Sequence, residues 1–191
     1  MIGLIWKGVA VTARRLREES PSVVWLWLYE KFARIRDGFS PAETSRVTEH
    51  LFVGGQHYRR GLEAMRSLGI GATLSLREES DDARSGVAMP RHLWLPTPDD
   101  GAPTVEQLRE GVAFIREAVA AGAAVYIHCA QGVGRAPTMA AAFLIAEGHS
   151  ARAAMDSIRK VRPFITPTPI QLRRLREWAD AVARVGAVAD S

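Results

Sequence analysis

Residues 123–147, AAVYIHCAQGVGRAPTMAAAFLIAE, decide how this chain folds. "AAVYIHC" is apolar without polar alternation until its end, the pattern of a central strand covered on both faces of a sheet. "AQGVG" is a glycine-rich turn, and residues 137–147 read as a helix. Strand, tight loop and helix in that order place residue 129 at the C-terminal end of a strand, the edge where open α/β sheets gather their ligands. That residue is the only cysteine in the chain.

The surrounding sequence repeats the alternation. "HLFVGG" (50–55) reads as a strand ending in a glycine turn, "GLEAMRSLG" (61–69) as a short helix, and "ATLSLR" (72–77) and "RHLWLP" (91–96) as strands. Thr104 then caps a helix with apolar positions Leu108, Val112, Ile115 and Val119, Ser150 caps another over 150–161, and 168–184 is helical. Strands alternating with helices around a buried central strand make a layered α/β domain. Its 191 residues, 47% apolar, suffice for a real core without staples, and one cysteine excludes an internal disulfide.

The first 36 residues carry seven Lys/Arg against three Glu, which accounts for the whole net charge of +4. The rest is neutral overall, which argues against a nucleic-acid-reading domain. Ile2, Ile5, Trp6, Val9, Ala13 and Leu16 share one face of a first helix, with Lys7, Arg14 and Arg15 away from it. Ser20 and Pro21 start a second, whose apolar spacing runs through Val24, Leu28, Phe32 and Ile35 until Gly38 stops it. Tryptophan and arginine on amphipathic helices suit an anionic membrane surface. The same helices suit an apolar flank of the domain or a second copy, and both readings stand. No segment approaches the roughly twenty apolar residues of a membrane span, and no signal peptide is recognisable. The expected location is cytoplasmic, with a peripheral membrane position left open.

In residues 128–135, Gly132 and Gly134 let the backbone curl so that successive N–H groups of Ala130, Gln131, Gly132, Val133 and Gly134 face inward. The helix that follows adds its positive end to this anion nest. Arg135 closes the ring with a planar fork that grips two phosphate oxygens. A free cysteine ionises near pH 8.5, and one beside a helix N-terminus and a cation at roughly 3.5 to 7.5, so this setting makes Cys129 a nucleophile. His128, on the other face of the strand, reads as a hydrogen-bonding support for the loop.

His, then Cys, five residues and Arg resembles the signature of the cysteine-based protein-tyrosine and dual-specificity phosphatases. The likeness runs over about residues 46–180, through "LFVGG", "GIGATLSLREE", "IRKVRP" and "PIQL", and is nearest the compact atypical members that include phosphatidylglycerophosphate phosphatases. It implies a central, mostly parallel sheet of four to five strands flanked by helices, as a catalytic domain over 43–186 behind a basic amphipathic extension over 1–42. It also implies a phosphomonoester hydrolase with a phosphocysteine intermediate on Cys129, phosphate held by Arg135 and the 130–134 amides, and neither metal nor cofactor.

A general acid is expected in "LPTPDDGAPT" (95–104), Asp99 first and Asp100 as the alternative. The substrate implied is a phosphorylated protein, phosphotyrosine foremost, or a phospholipid. Glu78 and Glu79 match an acidic pair of the lipid-acting branch. Ala136 departs from the family's usual Ser or Thr after the loop arginine, which leaves a slow-turnover phosphate binder as a further reading. The loop also lacks the lysines associated with highly phosphorylated inositol lipids.

Overall fold

In the computed structural model, which describes residues 19–189, four strands form the central layer. These are β1 (Leu51–Gly54), β2 (Ile70–Arg77), β3 (Arg91–Thr97) and β4 (Ala124–His128). They lie in the order β1-β4-β2-β3 with every neighbouring pair parallel, so the mostly parallel sheet expected from the sequence is wholly parallel here. The helices are α1 (Pro21–Asp37), α2 (Leu62–Ser67), α3 (Val105–Ala120), α4 (Arg135–Ala146), α5 (Ala151–Val161) and α6 (Pro169–Ala189).

All five residues of β4 are buried because both faces of the sheet are covered. Val125 and Ile127 point into a large apolar cluster with Leu108 and Ile115 of α3, Met139 of α4, Ile158 of α5 and Trp178 of α6. Ala124 and Tyr126 point the other way, into a smaller cluster with Phe39, Phe52, Leu62 and Met65. The alanine-rich α4 is buried along nearly its whole length. Thr104 and Ser150 cap as expected: the Thr104 hydroxyl accepts from the Gln107 amide in a capping box, and the Ser150 hydroxyl from the Ala153 amide.

The second N-terminal helix forms as read, ending at Gly38, whose φ of 90° is left-handed. Its orientation differs from the expectation. Of Val24, Leu28, Phe32 and Ile35 only Val24 is buried, and the inward residues are Val24, Trp27, Glu30, Ala33 and Arg34. The reason is polar: Glu30 and Arg34 have buried partners in the domain, described below, and these turn the helix. The first amphipathic helix, over residues 2–16, lies outside the described residues.

Candidate active site

Cys129 directly follows β4, between β1 and β2, with Gly54 of β1 and Ser75 of β2 in register with His128. It is free and buried. The loop after it is tied from outside by every carbonyl in turn. Ala130 O accepts from the Gln56 amide at 3.3 Å and Val133 O from the Thr166 amide at 2.8 Å. Gln131 O and Gly132 O accept from Arg162 at 3.3 and 3.1 Å, and Gly134 O from the Thr138 hydroxyl at 2.9 Å. In a trans peptide a carbonyl and the next amide point opposite ways, so the inward N–H groups are those of residues 131–135, one position on from the 130–134 expected from the sequence, and Ala130 contributes its outward carbonyl instead. The Gly132 amide among them donates to Cys129 Sγ at 3.3 Å. Only glycine serves at 132, where φ is 66° and a Cβ would collide with the backbone of Gly54.

Arg135 opens α4 and reaches across the C-terminal ends of two strands. Its Nη1 donates to Thr97 O at 2.8 Å and Leu76 O at 3.3 Å, and its Nη2 to Asp99 Oδ1 at 3.0 Å and Glu79 Oε1 at 3.1 Å. Burial alone would lower the ionisation of Arg135, but the Cys129 sulfur and the two carboxylates reverse this and raise it. Burial alone would likewise raise Glu79, and the Arg135 fork outweighs it, holding the carboxyl below its ordinary range. Asp99 and Glu79 are thus brought to the arginine, whereas Glu78 makes no such contact.

Asp100 contributes its backbone. It holds a left-handed φ of 61°, and its carbonyl accepts from the Thr168 hydroxyl at 3.1 Å. Buried Gln171, from the "PIQL" stretch, donates to Gly101 O at 2.6 Å and lies close against Gly134. The segment from Arg162 to Gln171 therefore braces both the 130–134 loop and the loop that carries Asp99.

Behind the cup, His128 Nε2 pairs with Asp82 Oδ2 at 2.6 Å, and both are wholly buried. Asp82 also accepts from Gln56 Nε2 at 3.0 Å, and His57 Nε2 donates to Val87 O at 2.7 Å while its ring meets His128 edge-on. Burial by itself would raise the Asp82 carboxyl. The bond from His128 and the charges of both imidazoles overcome it, and Asp82 ionises well below the usual range. Burial, aided by His128, pushes His57 down to about 4. His57, Asp82 and His128 bring ligand atoms within 4.8 Å of one another. The 2.6 Å separation of His128 and Asp82 is that of a hydrogen bond, shorter than the roughly 3.3 Å between two ligands of a tetrahedral ion about 2 Å away.

The N-terminal helix enters the site through Arg162. This buried guanidinium, lying over the Phe164 ring, donates from Nε to Gly132 O at 3.1 Å, from Nη2 to both Gln131 O and Glu30 Oε1 at 3.3 Å, and from Nη1 to Thr44 O at 2.7 Å. Glu30 also accepts from Ser40 Oγ at 2.5 Å, and Arg34 donates to Gln56 O at 3.1 Å. Residues 21–40 are therefore joined to the 130–134 loop by buried polar bonds. Sequence reasoning missed Glu30, Gln56, Asp82, Arg162 and Gln171 as parts of the site. The i, i+4 spacing of Glu30 and Arg34 was a readable signal, but not their burial. Ala136 is buried, and the Thr138 hydroxyl is committed to Gly134 O.

Residues 51–181 match the family model of the dual specificity phosphatase catalytic domain. The chain is 28% identical over 141 residues to an Arabidopsis thaliana phosphatidylglycerophosphate phosphatase, PTPMT2, covering 70% of this chain and 61% of that protein. It is 41% identical over 88 residues to the Mus musculus phosphatidylglycerophosphatase and protein-tyrosine phosphatase 1, covering 45% and 46%. The chain thus spans about half to three fifths of the length of these relatives. The crystal structure of PTPMT1 in complex with PI(5)P superposes with a TM-score of 0.69 at 26% identity, covering 74% of this chain and 97% of that one. A buried cysteine that receives the Gly132 amide, an arginine six residues on that opens the next helix and a family match over residues 51–181 agree: the chain belongs to the dual specificity phosphatase catalytic-domain family.

Proposed function

We propose that the chain hydrolyses phosphomonoesters through a phosphocysteine formed on Cys129. The observation that carries this reading is the loop whose five carbonyls, 130–134, are all tied outward around that sulfur. Phosphate enters the cup and takes the Arg135 fork from the carboxylates that now fill it. Cys129 Sγ bonds phosphorus in line, the bond to the leaving oxygen breaks, and Asp99 gives that oxygen its proton. Asp99 then takes a proton from water, the water oxygen bonds phosphorus, the P–S bond breaks, and inorganic phosphate leaves with the thiolate restored. The Asp99 carboxylate on Arg135 supports it over Asp100, which serves through its carbonyl.

Among substrates we favour a phospholipid monoester. Support comes from the names of the relatives, from the Glu79 contact with Arg135, and from a loop without lysine, which suits a lightly phosphorylated headgroup. The second reading, a phosphotyrosine protein, rests on the double name of the mouse relative. Phosphate release from phosphatidylglycerophosphate in mixed micelles is set against a phosphotyrosine peptide. The lipid is expected to give the higher kcat/KM, and the reverse order transfers the proposal to proteins. Cys129→Ser should abolish release from both. Asp99→Asn should lower turnover of substrates with poor leaving groups by roughly 10² to 10⁴ and spare activated aryl phosphates. Undiminished release by Cys129→Ser overturns the mechanism, and no release by the unaltered chain leaves a phosphate binder.

A further inference from the structure

Five of the eight large hydrophobic residues exposed among the described residues lie on α1: Trp25, Leu28, Tyr29, Phe32 and Ile35. Trp25 is 71% exposed, Phe32 65% and Ile35 53%. At 100° per residue they fall in one arc with Arg36, and that arc contains no acidic residue. Lys31 flanks it, with its Nζ 5.1 Å from the Trp27 ring centroid, and Arg36 lies over the Phe32 ring. Arg60 caps the end of the arc by donating to Ile35 O and stacks on exposed Tyr58. A contiguous aromatic face of this size on a folded chain marks a contact surface.

The inner side of the same helix is held by Glu30 to Arg162, and Arg162 holds the catalytic loop. The outer face is therefore fixed in position relative to Cys129, as a docking surface that presents an active site to its substrate must be.

We propose that the outer face of α1 docks on an anionic lipid bilayer. Charge selects this occupant. Lys31 and Arg60 border the aromatics, as does Arg36, whose guanidinium pairs with Asp37 at 2.7 Å, and the segment just before the helix carries Lys7, Arg14, Arg15 and Arg17 against Glu18 and Glu19. Of these, Lys7, Arg14 and Arg15 lie off the apolar face of Ile2, Ile5, Trp6, Val9, Ala13 and Leu16, and they add positive charge to the stretch of chain before α1. A symmetric second copy would bring Lys31 and Arg60 to both edges of the contact with no acidic residue on either arc to pair them. Anionic headgroups pair with Lys31, Arg60 and the basic stretch before the helix, while the rings sit at headgroup depth. The inference goes beyond the reading of the site and is tested by binding, so its failure is distinct from failure of the hydrolysis mechanism.

The full chain is mixed with sucrose-loaded vesicles of phosphatidylcholine, with or without phosphatidylglycerol, and sedimented. The unaltered chain is expected to sediment with the anionic vesicles only. Trp25→Glu/Phe32→Glu should weaken that binding at least about tenfold, with the melting temperature and hydrolysis of a soluble aryl phosphate unchanged. The proposal is overturned by no binding of the unaltered chain, or by undiminished binding of the double variant, which would give the membrane contact to residues outside α1. It is equally overturned by a solution dimer that the double variant separates, which would give the face to a second copy.

Discussion

Replacing Glu30 by alanine tests whether the N-terminal helix is part of the domain or an attachment to it. The carboxylate accepts from Ser40 Oγ at 2.5 Å, lies 3.3 Å from Arg162 and is 3.5 Å from Arg34 Nε. All four side chains are buried. Alanine leaves Arg162 without its carboxylate in a fully buried place, and removing one partner of a buried pair costs roughly 3 to 5 kcal/mol. For a chain of this length each kcal/mol moves the melting temperature by about 2 to 4 °C, so a fall of roughly 6 to 20 °C is expected by calorimetry. Steady-state hydrolysis should fall as well, because Arg162 also fixes Gln131 O and Gly132 O at the cup. Glu30→Gln keeps an acceptor for Ser40 and should lose less. A melting shift of Glu30→Ala below about 2 °C would refute the reasoning, since α1 would then detach without cost to the rest.

Two further outcomes follow from buried groups around the cup. Ala136→Ser places a hydroxyl where the family usually has one. A hydrogen bond to a charged sulfur of about 1.5 to 3 kcal/mol predicts a roughly ten- to hundredfold faster breakdown of the phosphocysteine. A pre-steady-state burst in the unaltered chain should then shrink as the steady rate rises, and no change in either rejects a role for position 136. Stability should also fall on acidification. His57 is pushed from 6.5 in the unfolded chain down to about 4 when folded, so its contribution is whole above 6.5 and is lost as pH falls toward 4. The full loss is roughly 3 kcal/mol, with Asp82 adding its own loss only at lower pH. Melts from pH 7 to 4.5 should be steeper for the unaltered chain than for His57→Gln, and equal slopes would exclude His57 as the source.

The half of the candidate site that runs from Cys129 to Arg135 was legible because its logic is local. A strand end, five loop residues and a helix start bring Cys129, the turn glycines and Arg135 together by covalent spacing alone, and caps such as Thr104 and Ser150 depend only on their own next turn. The α/β layering was equally readable, since apolar runs and helical periods record which surfaces need cover. Asp99 was within reach as a position after a strand, although its contact with Arg135 was not.

What only the tertiary structure decided are the long-range polar partners and the direction in which an amphipathic helix faces. Glu30 meets Arg162 across 132 residues, and His128 meets Asp82 across 46. No periodicity encodes such pairs, because each depends on where separate segments of chain arrive in space. The hydrophobic pattern of α1 likewise declares two faces without saying which is inside. Desolvated charges are tolerated only where a partner waits, so Glu30 and Arg34 settle the matter: they turn inward to Arg162 and Gln56, and the aromatic face is left outward.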